Sequence, residues 1–257
     1  MTAQAQPALI HERLRHEPLV GPFCKTSDPA MIEAIGHAGM HFVILDLEHG
    51  SLDIGDLPGL IRAAQATDTY PVVRTLRPDD IGRALDLGAA AVQVPHVETA
   101  DHAAAVVQAA RFAPQGQRGV CRYVRAARYG TTDKTDYFTY ANRATAIVQV
   151  EGQAGLNNLD EILDVTGVDL VFVGVYDLSQ SLGHPGEVNH PAVQDALQGI
   201  ARCCKDRRIP VGTFVENPED ARRYADAGIH YLAYSVDVGL LQKACDEAAR
   251  AVGSSDP

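Results

Sequence analysis

The chain has 257 residues, 46% of them hydrophobic and 21% charged, an ordinary globular composition that excludes a disordered tail, a collagen-like rod and a coiled coil. Its 33 acidic against 22 basic residues give a net charge of −11, a field that repels a phosphate polymer and excludes general nucleic-acid binding. Five scattered cysteines, none in a CxxC pair, read as reduced thiols in a cytoplasmic protein, and no apolar run reaches the length of a secretory core or a membrane span.

Short apolar runs alternate with longer helical stretches. A strand at 19–24 (LVGPFC) leads to a helix at 29–38, opened by Ser27-Asp28-Pro29. Strand 41–46 (HFVILD) precedes helix 54–66, strand 71–75 (PVVRT) precedes helix 79–87, and strand 91–95 (AVQVP) precedes helix 99–111. A segment at 112–145, rich in Arg and Tyr, then interrupts the rhythm and is too long for an ordinary connection. The alternation resumes with strand 146–151, helix 155–165, strand 169–174, helix 190–206, strand 209–214, helix 217–227, strand 230–235 and helix 236–252. Glycines at 39, 88, 167 and 228 mark helix exits.

Near-continuous apolar strands belong to a parallel sheet covered on both faces. Eight strand–helix units of about 32 residues fit a closed (β/α)8 TIM barrel or an open doubly wound sheet. The latter would want a G-x-G-x-x-G turn after an early strand, and none is present. We therefore expect an α/β (β/α)8 barrel in a single domain over 1–257, with 1–17 as an N-terminal extension and 112–145 as an insertion on the active-site side.

In such a barrel the chemistry gathers at the carboxyl ends of the strands. The second strand ends in Asp46-Leu47-Glu48-His49-Gly50, the third in Arg74, the fifth in Gln149-Val150-Glu151, and the sixth is followed by Gly174-Val175-Tyr176-Asp177. Glu151 and Asp177 follow consecutive strands, and two neighbouring carboxylates can share one hard divalent ion or instead cap a helix and form a surface pair. Arg74 ends an apolar strand, where a guanidinium needs a partner: Asp46 or Glu48, or a substrate carboxylate. Asp86, near the end of a helix, reads as a solvated helix-end acid. No lysine lies on these strand ends, so a Schiff-base route lacks a candidate there. Glu216 and Asp237, after the seventh and eighth strands, argue against a phosphate site there.

The runs ILDLEHG (44–50), PVVR (71–74), ALDLGAAAVQVPHVETADHA (84–103), APQGQRGV (113–120), RAARYG (125–130), VQVEG (148–152) and VFVGVYDLSQSLG (171–183), in that order, resemble the HpcH/HpaI family of class II, metal-dependent pyruvate aldolases. The resemblance covers roughly residues 18–250. It implies Glu151 and Asp177 as ligands of a divalent metal, Mg2+ or Mn2+ with Co2+ also admissible. It implies His49 as the base, Asp86 as the acid that buttresses it, and Arg74 as the group that steadies the pyruvate enolate. Gln149, Asp177 and the backbone at Tyr176 fall at substrate-binding positions. The implied partners are a 2-oxo acid and an aldehyde. The implied assembly is a homo-oligomer, a hexamer, with C-terminal helices exchanged between subunits.

Two departures stand out. Where many members read G-P-A-D-L-S, this chain has Gly174-Val175-Tyr176-Asp177-Leu178-Ser179, and Cys121 stands where glycine is usual. The expected activity is cleavage or formation of 4-hydroxy-2-oxo acids through a pyruvate enolate. A decarboxylase or lyase of oxaloacetate or a related 2-oxo diacid is the same-fold alternative, and a non-catalytic oxo-acid-binding barrel the different-class one.

Overall fold

The computed structural model describes residues 9–253. Eight parallel strands close into a barrel in chain order. They are β1 (Leu19–Cys24), β2 (Phe42–Asp46), β3 (Tyr70–Arg74), β4 (Ala91–Val94), β5 (Thr145–Val150), β6 (Leu170–Val173), β7 (Val211–Val215) and β8 (Tyr231–Val236), and β8 pairs back onto β1. Outside them lie α1 (Ile10–Arg13), α2 (Pro29–His37), α3 (Leu57–Ala66), α4 (Asp79–Leu87), α5 (Ala100–Ala110), a 3-10 turn (Arg125–Gly130), α6 (Lys134–Ala141), α7 (Gln153–Asn157), α8 (Leu159–Leu163), α9 (Val175–Ser181), α10 (Pro191–Asp206), α11 (Pro218–Asp226) and α12 (Asp237–Ala251). All eight expected strands form. The single helix expected over 155–165 is broken into α7 and α8 at Asn158, whose backbone leaves the helical region (φ −104°, ψ 14°).

The period of two along each strand divides the core. Val43 and Leu45 of β2 face the helices, whereas Phe42 and Ile44 join the barrel interior, as do Ile147, Leu170, Phe172 and Tyr231. The helices begin and end where local chemistry dictates. Asp28 accepts from the Ala30 amide at the start of α2, and Asn217 from the Asp220 amide at the start of α11. Helix α4 ends at Gly88, whose φ of 99° would strain any residue with a Cβ.

Two segments differ from expectation. Residues 9–17 are less an extension than a plug: Ile10 and Leu14 are buried in the interior cluster, and the Leu14 carbonyl lies 2.9 Å from His230 Nδ1. Residues 1–8 and 254–257 lie outside the described residues.

The segment 112–145 leaves the lower end of α5 and returns to the start of β5, so within one chain it lies on the amino-end side of the barrel, opposite to the expected side. It carries its own small cluster (Phe112, Ala127, Tyr137, Ala141) and clasps the outer helices. Arg118 donates to Asp86, and Arg125 donates to the Leu87 carbonyl and to Gln65.

Helix α12 forms as expected but stands off its own barrel. Every residue from Leu241 to Arg250 is exposed, Leu241 by 53%. Cys24 and Cys204 are core thiols, pushed up by burial, Cys204 to about 12, while Cys121 and Cys245 are exposed, and all five cysteines are free.

Candidate active site

On several strands the inward-facing residues run apolar and turn polar at the carboxyl end. Phe42 and Ile44 lead to Asp46, Tyr70 and Val72 to Arg74, Ala91 to Gln93, Ile147 to Gln149 and Glu151, and Phe23 to Lys25. These residues share a face because residues two apart point the same way. Asp46 and Arg74 sit opposite each other in the β2–β3 register.

Arg74 donates from Nε (2.8 Å) and Nη2 (2.7 Å) to both Asp46 oxygens, and its Nη1 lies 3.0 Å from Glu48 Oε2. Lys25 Nζ also donates to Asp46 and, at 3.3 Å, to the His49 carbonyl. The guanidinium rests 4.5 Å above the Phe23 ring. Burial would raise the Asp46 carboxyl, but the Arg74 guanidinium and Lys25 ammonium outweigh it and bring it down to about 2. The structural pairing weighed for Arg74 is thus made. Its hydrogen bonds to Asp46 use two of the five guanidinium N–H groups, and Nη1 faces Glu48 as an ion pair without a hydrogen bond, leaving three N–H groups for other acceptors. Lys25 sits on the rim one residue beyond β1, a strand end the sequence reading did not weigh, and its contact with Asp46 holds it as an ion-pair partner.

Glu151 is buried, and a chain of amides orients it. Tyr231 Oη donates to Gln93 (3.4 Å), Gln93 to Gln149 (2.8 Å), and Gln149 to Glu151 Oε2. The His96 backbone N–H donates to Glu151 Oε1 at 2.8 Å. Burial pushes the Glu151 carboxyl up, these hydrogen bonds oppose it, and the Asp177 charge pushes it up further. Glu151 and Asp177 line one cavity of about 330 Å³ with His96, Gly152, Gln180 and Ser181. Gly174, between β6 and α9, makes room: a Cβ there would collide with Glu151 Oε2. A buried carboxylate and an exposed one across a cavity form a hard-oxygen donor set that fits Mg2+ or Mn2+, ions that take one or two carboxylates and complete their shell with water and substrate. The pair expected from spacing is brought together.

His49 follows β2 on the same rim, with a side chain 61% exposed. Asp86 does not join it. It lies in the last turn of α4, toward the amino ends of the strands, with Arg118 Nη2 2.6 Å from Oδ1. Tyr176 lies in the first turn of α9, where amide N–H groups lack intrahelical partners. Its side chain donates to Glu216 Oε2 at 2.8 Å.

Sequence reasoning did not single out Lys25, Gln93 or His96. The first two continue the inward period of two beyond the apolar run, a signal present in the sequence. His96 has a backbone φ of 55° and spans Glu48 Oε1 (3.2 Å) and Glu151 Oε1 (3.0 Å). A second group of potential ligands, His184, Glu187 and His190, lies in the loop before α10. There His190 Nδ1 already caps the helix by accepting from the Ala192 amide (3.2 Å), and the two imidazoles stack 3.4 Å apart.

The profile of the HpcH/HpaI aldolase/citrate lyase family matches residues 19–244, which spans the whole barrel. The chain belongs to the HpcH/HpaI aldolase/citrate lyase family. It is 38% identical over 239 residues to the 5-keto-4-deoxy-D-glucarate aldolase of Klebsiella pneumoniae, covering 92% of this chain and 93% of that one. Among solved structures, an HpcH/HpaI aldolase/citrate lyase family protein from Burkholderia cenocepacia superposes with a TM-score of 0.89 at 37% identity, over 95% of this chain and 98% of that one. The citrate synthase SbnG superposes with a TM-score of 0.85 at 28% identity, over 95% and 97%. As a member of the HpcH/HpaI family the chain is an enzyme, a carbon–carbon lyase of the aldolase type. The reading as a non-catalytic binding barrel falls away.

Proposed function

We propose that the chain is a divalent-metal-dependent aldolase that cleaves or forms 4-hydroxy-2-oxo acids through the enolate of pyruvate. The observation that carries this reading is the pairing of Glu151 and Asp177 across one cavity, on the rim that also holds Arg74 and His49. Glu151 and Asp177 would hold the ion, which when bound supplies Lewis-acid stabilisation of the enolate charge. Gln149 serves here by orienting Glu151. Arg74, fixed by Asp46, offers its remaining N–H groups to the carboxylate and enolate oxygens of the 2-oxo acid. The His49 imidazole takes the C4-hydroxyl proton as the C3–C4 bond breaks and returns it in condensation. The amides at the start of α9, including that of Tyr176, bind the substrate carboxylate.

Asp86 can buttress His49 only if it comes from a second copy of the chain, because within one chain the two lie toward opposite ends of the barrel. The reading therefore includes a homo-oligomer, a hexamer as the family resemblance implies, in the cytoplasm. Helix α12, with Val238, Leu241 and Val252 exposed, would be the exchanged element. The test is pyruvate release from 4-hydroxy-2-oxo acids by protein loaded with Mg2+ or Mn2+. Release that stops with EDTA and returns with metal supports the reading; metal-independent release, or release only from oxaloacetate, overturns it.

A further inference from the structure

Tyr176 and Glu216 form a unit that the roles above do not use. The Tyr176 ring packs edge-on against Phe214 at 5.9 Å, Phe214 lies 6.1 Å from Phe23, and Phe23 carries the Arg74 guanidinium at 4.5 Å. A continuous line of ring contacts thus runs from the guanidinium on the donor side of the mouth to the Tyr176 phenol. Glu216 follows β7 and continues the inward series after Phe214, as Arg74 does after Val72. Tyr176 Oη donates to Glu216 Oε2 at 2.8 Å. That bond spends the only phenol proton and leaves lone pairs facing outward.

The charges on the rim are unevenly matched. Asp46 is matched by Arg74 and Lys25, and Glu48 by Arg74. Glu151 and Asp177 are the pair assigned to the metal. Among the described residues no cation is ion-paired with Glu216. The wall built by Tyr176 and Glu216 therefore presents hydrogen-bond acceptors and an uncompensated negative charge.

We propose that Tyr176 and Glu216 form the acceptor-side wall of the active site and select a hydroxylated aldehyde without a carboxylate. A hydroxyl group donates to the phenol oxygen or the carboxylate, whereas an aldehyde bearing a carboxylate meets like charge at this part of the rim. Tyr176 acts by contact, and Glu216 acts by holding the phenol and by its charge. The assignment rests on the aldolase reading above.

The experiment separates the two. Exchange of the pyruvate methyl protons with deuterium, followed by NMR on the metal-loaded protein, reports the donor half alone. Condensation of pyruvate with glyceraldehyde, compared with glyoxylate and succinic semialdehyde, reports the acceptor half. The wild type is expected to favour glyceraldehyde in kcat/KM by at least about tenfold. Glu216→Gln removes the charge and keeps an acceptor for the phenol. It should narrow that preference about tenfold, through KM for the carboxylate-bearing aldehydes, with methyl exchange unchanged. Tyr176→Phe removes the hydrogen bond and keeps the charge. It should raise KM for glyceraldehyde while carboxylates stay rejected. A wild type that prefers the carboxylate-bearing aldehydes, or a Glu216→Gln protein with unaltered discrimination, overturns the acceptor assignment and leaves the aldolase reading standing. Absence of methyl exchange in the wild type overturns both.

Discussion

The two ends of the barrel are built from the same eight strands and the same inward-facing positions, yet they differ in every physical respect. The amino end is stoppered by α1 and the residue after it: Ile10 and Leu14 are 1% exposed and share one buried cluster with Leu19, Phe42 and Tyr231. The carboxyl end carries Lys25, Asp46, Glu48, Arg74, His96 and Glu151 in one connected network. Apolar burial at one end stabilises the fold, so the other end can tolerate buried charge, which on balance contributes little to stability. The lesson is that stability and chemistry are separated along the strands, and substitutions at the two ends should move different measurements.

The largest effect is expected at the metal pair. Asp177→Ala should abolish turnover, because it leaves the ion one anionic ligand short, while thermal stability stays within about 0.5 kcal/mol for this exposed side chain. Turnover at the wild-type rate would remove Asp177 from the ligand set. His49→Ala comes next, with kcat for cleavage expected to fall by about 10²–10⁴-fold and the melting temperature nearly unchanged. The same variant sharpens the contrast between the ends. If Asp86 of one copy serves His49 of another, mixing His49→Ala with Asp86→Asn protein and reassembling should restore activity above that of either variant alone. No restoration would leave Asp86 as the structural partner of Arg118.

At the opposite end, Leu14→Ala should lower unfolding stability by about 2–5 kcal/mol in urea titrations, with kcat per folded molecule unchanged. A catalytic loss there would blur the separation. The smallest effect is in acid. Asp46 ionises at about 2 in the folded state against an ordinary 3.8. Its pairing therefore stabilises the fold fully above about pH 4, and that stabilisation drains away as pH falls toward 2. A shift of this size contributes about 2 kcal/mol. The stability curves of wild type and Asp46→Asn should converge over that window, and parallel curves would contradict the assignment.

Strand positions, helix exits and the rim residues Asp46, His49, Arg74, Glu151 and Asp177 were legible because they are local. A period-two apolar run names its own faces, a glycine after a helix names its exit, and in a parallel barrel the carboxyl end of each strand is known once the strand is. The residues that act through others were not legible. Gln149 turned toward Glu151, Lys25 paired with Asp46, and His96 bridged two acids, because those partners come from different strands and only closure of the barrel brings them within reach.

By itself, the sequence determined the eight units, the family and the acids at the ends of β5 and β6 that line one cavity. Only the tertiary structure decided where the long segment after α5 lies, that residues 9–17 plug the barrel, and that Asp86 is far along the chain's fold from His49. The reason is one of range. Periodicity and turn chemistry act over a few residues, whereas these placements depend on which surfaces are left uncovered after the strands have closed, and that is a property of the whole chain.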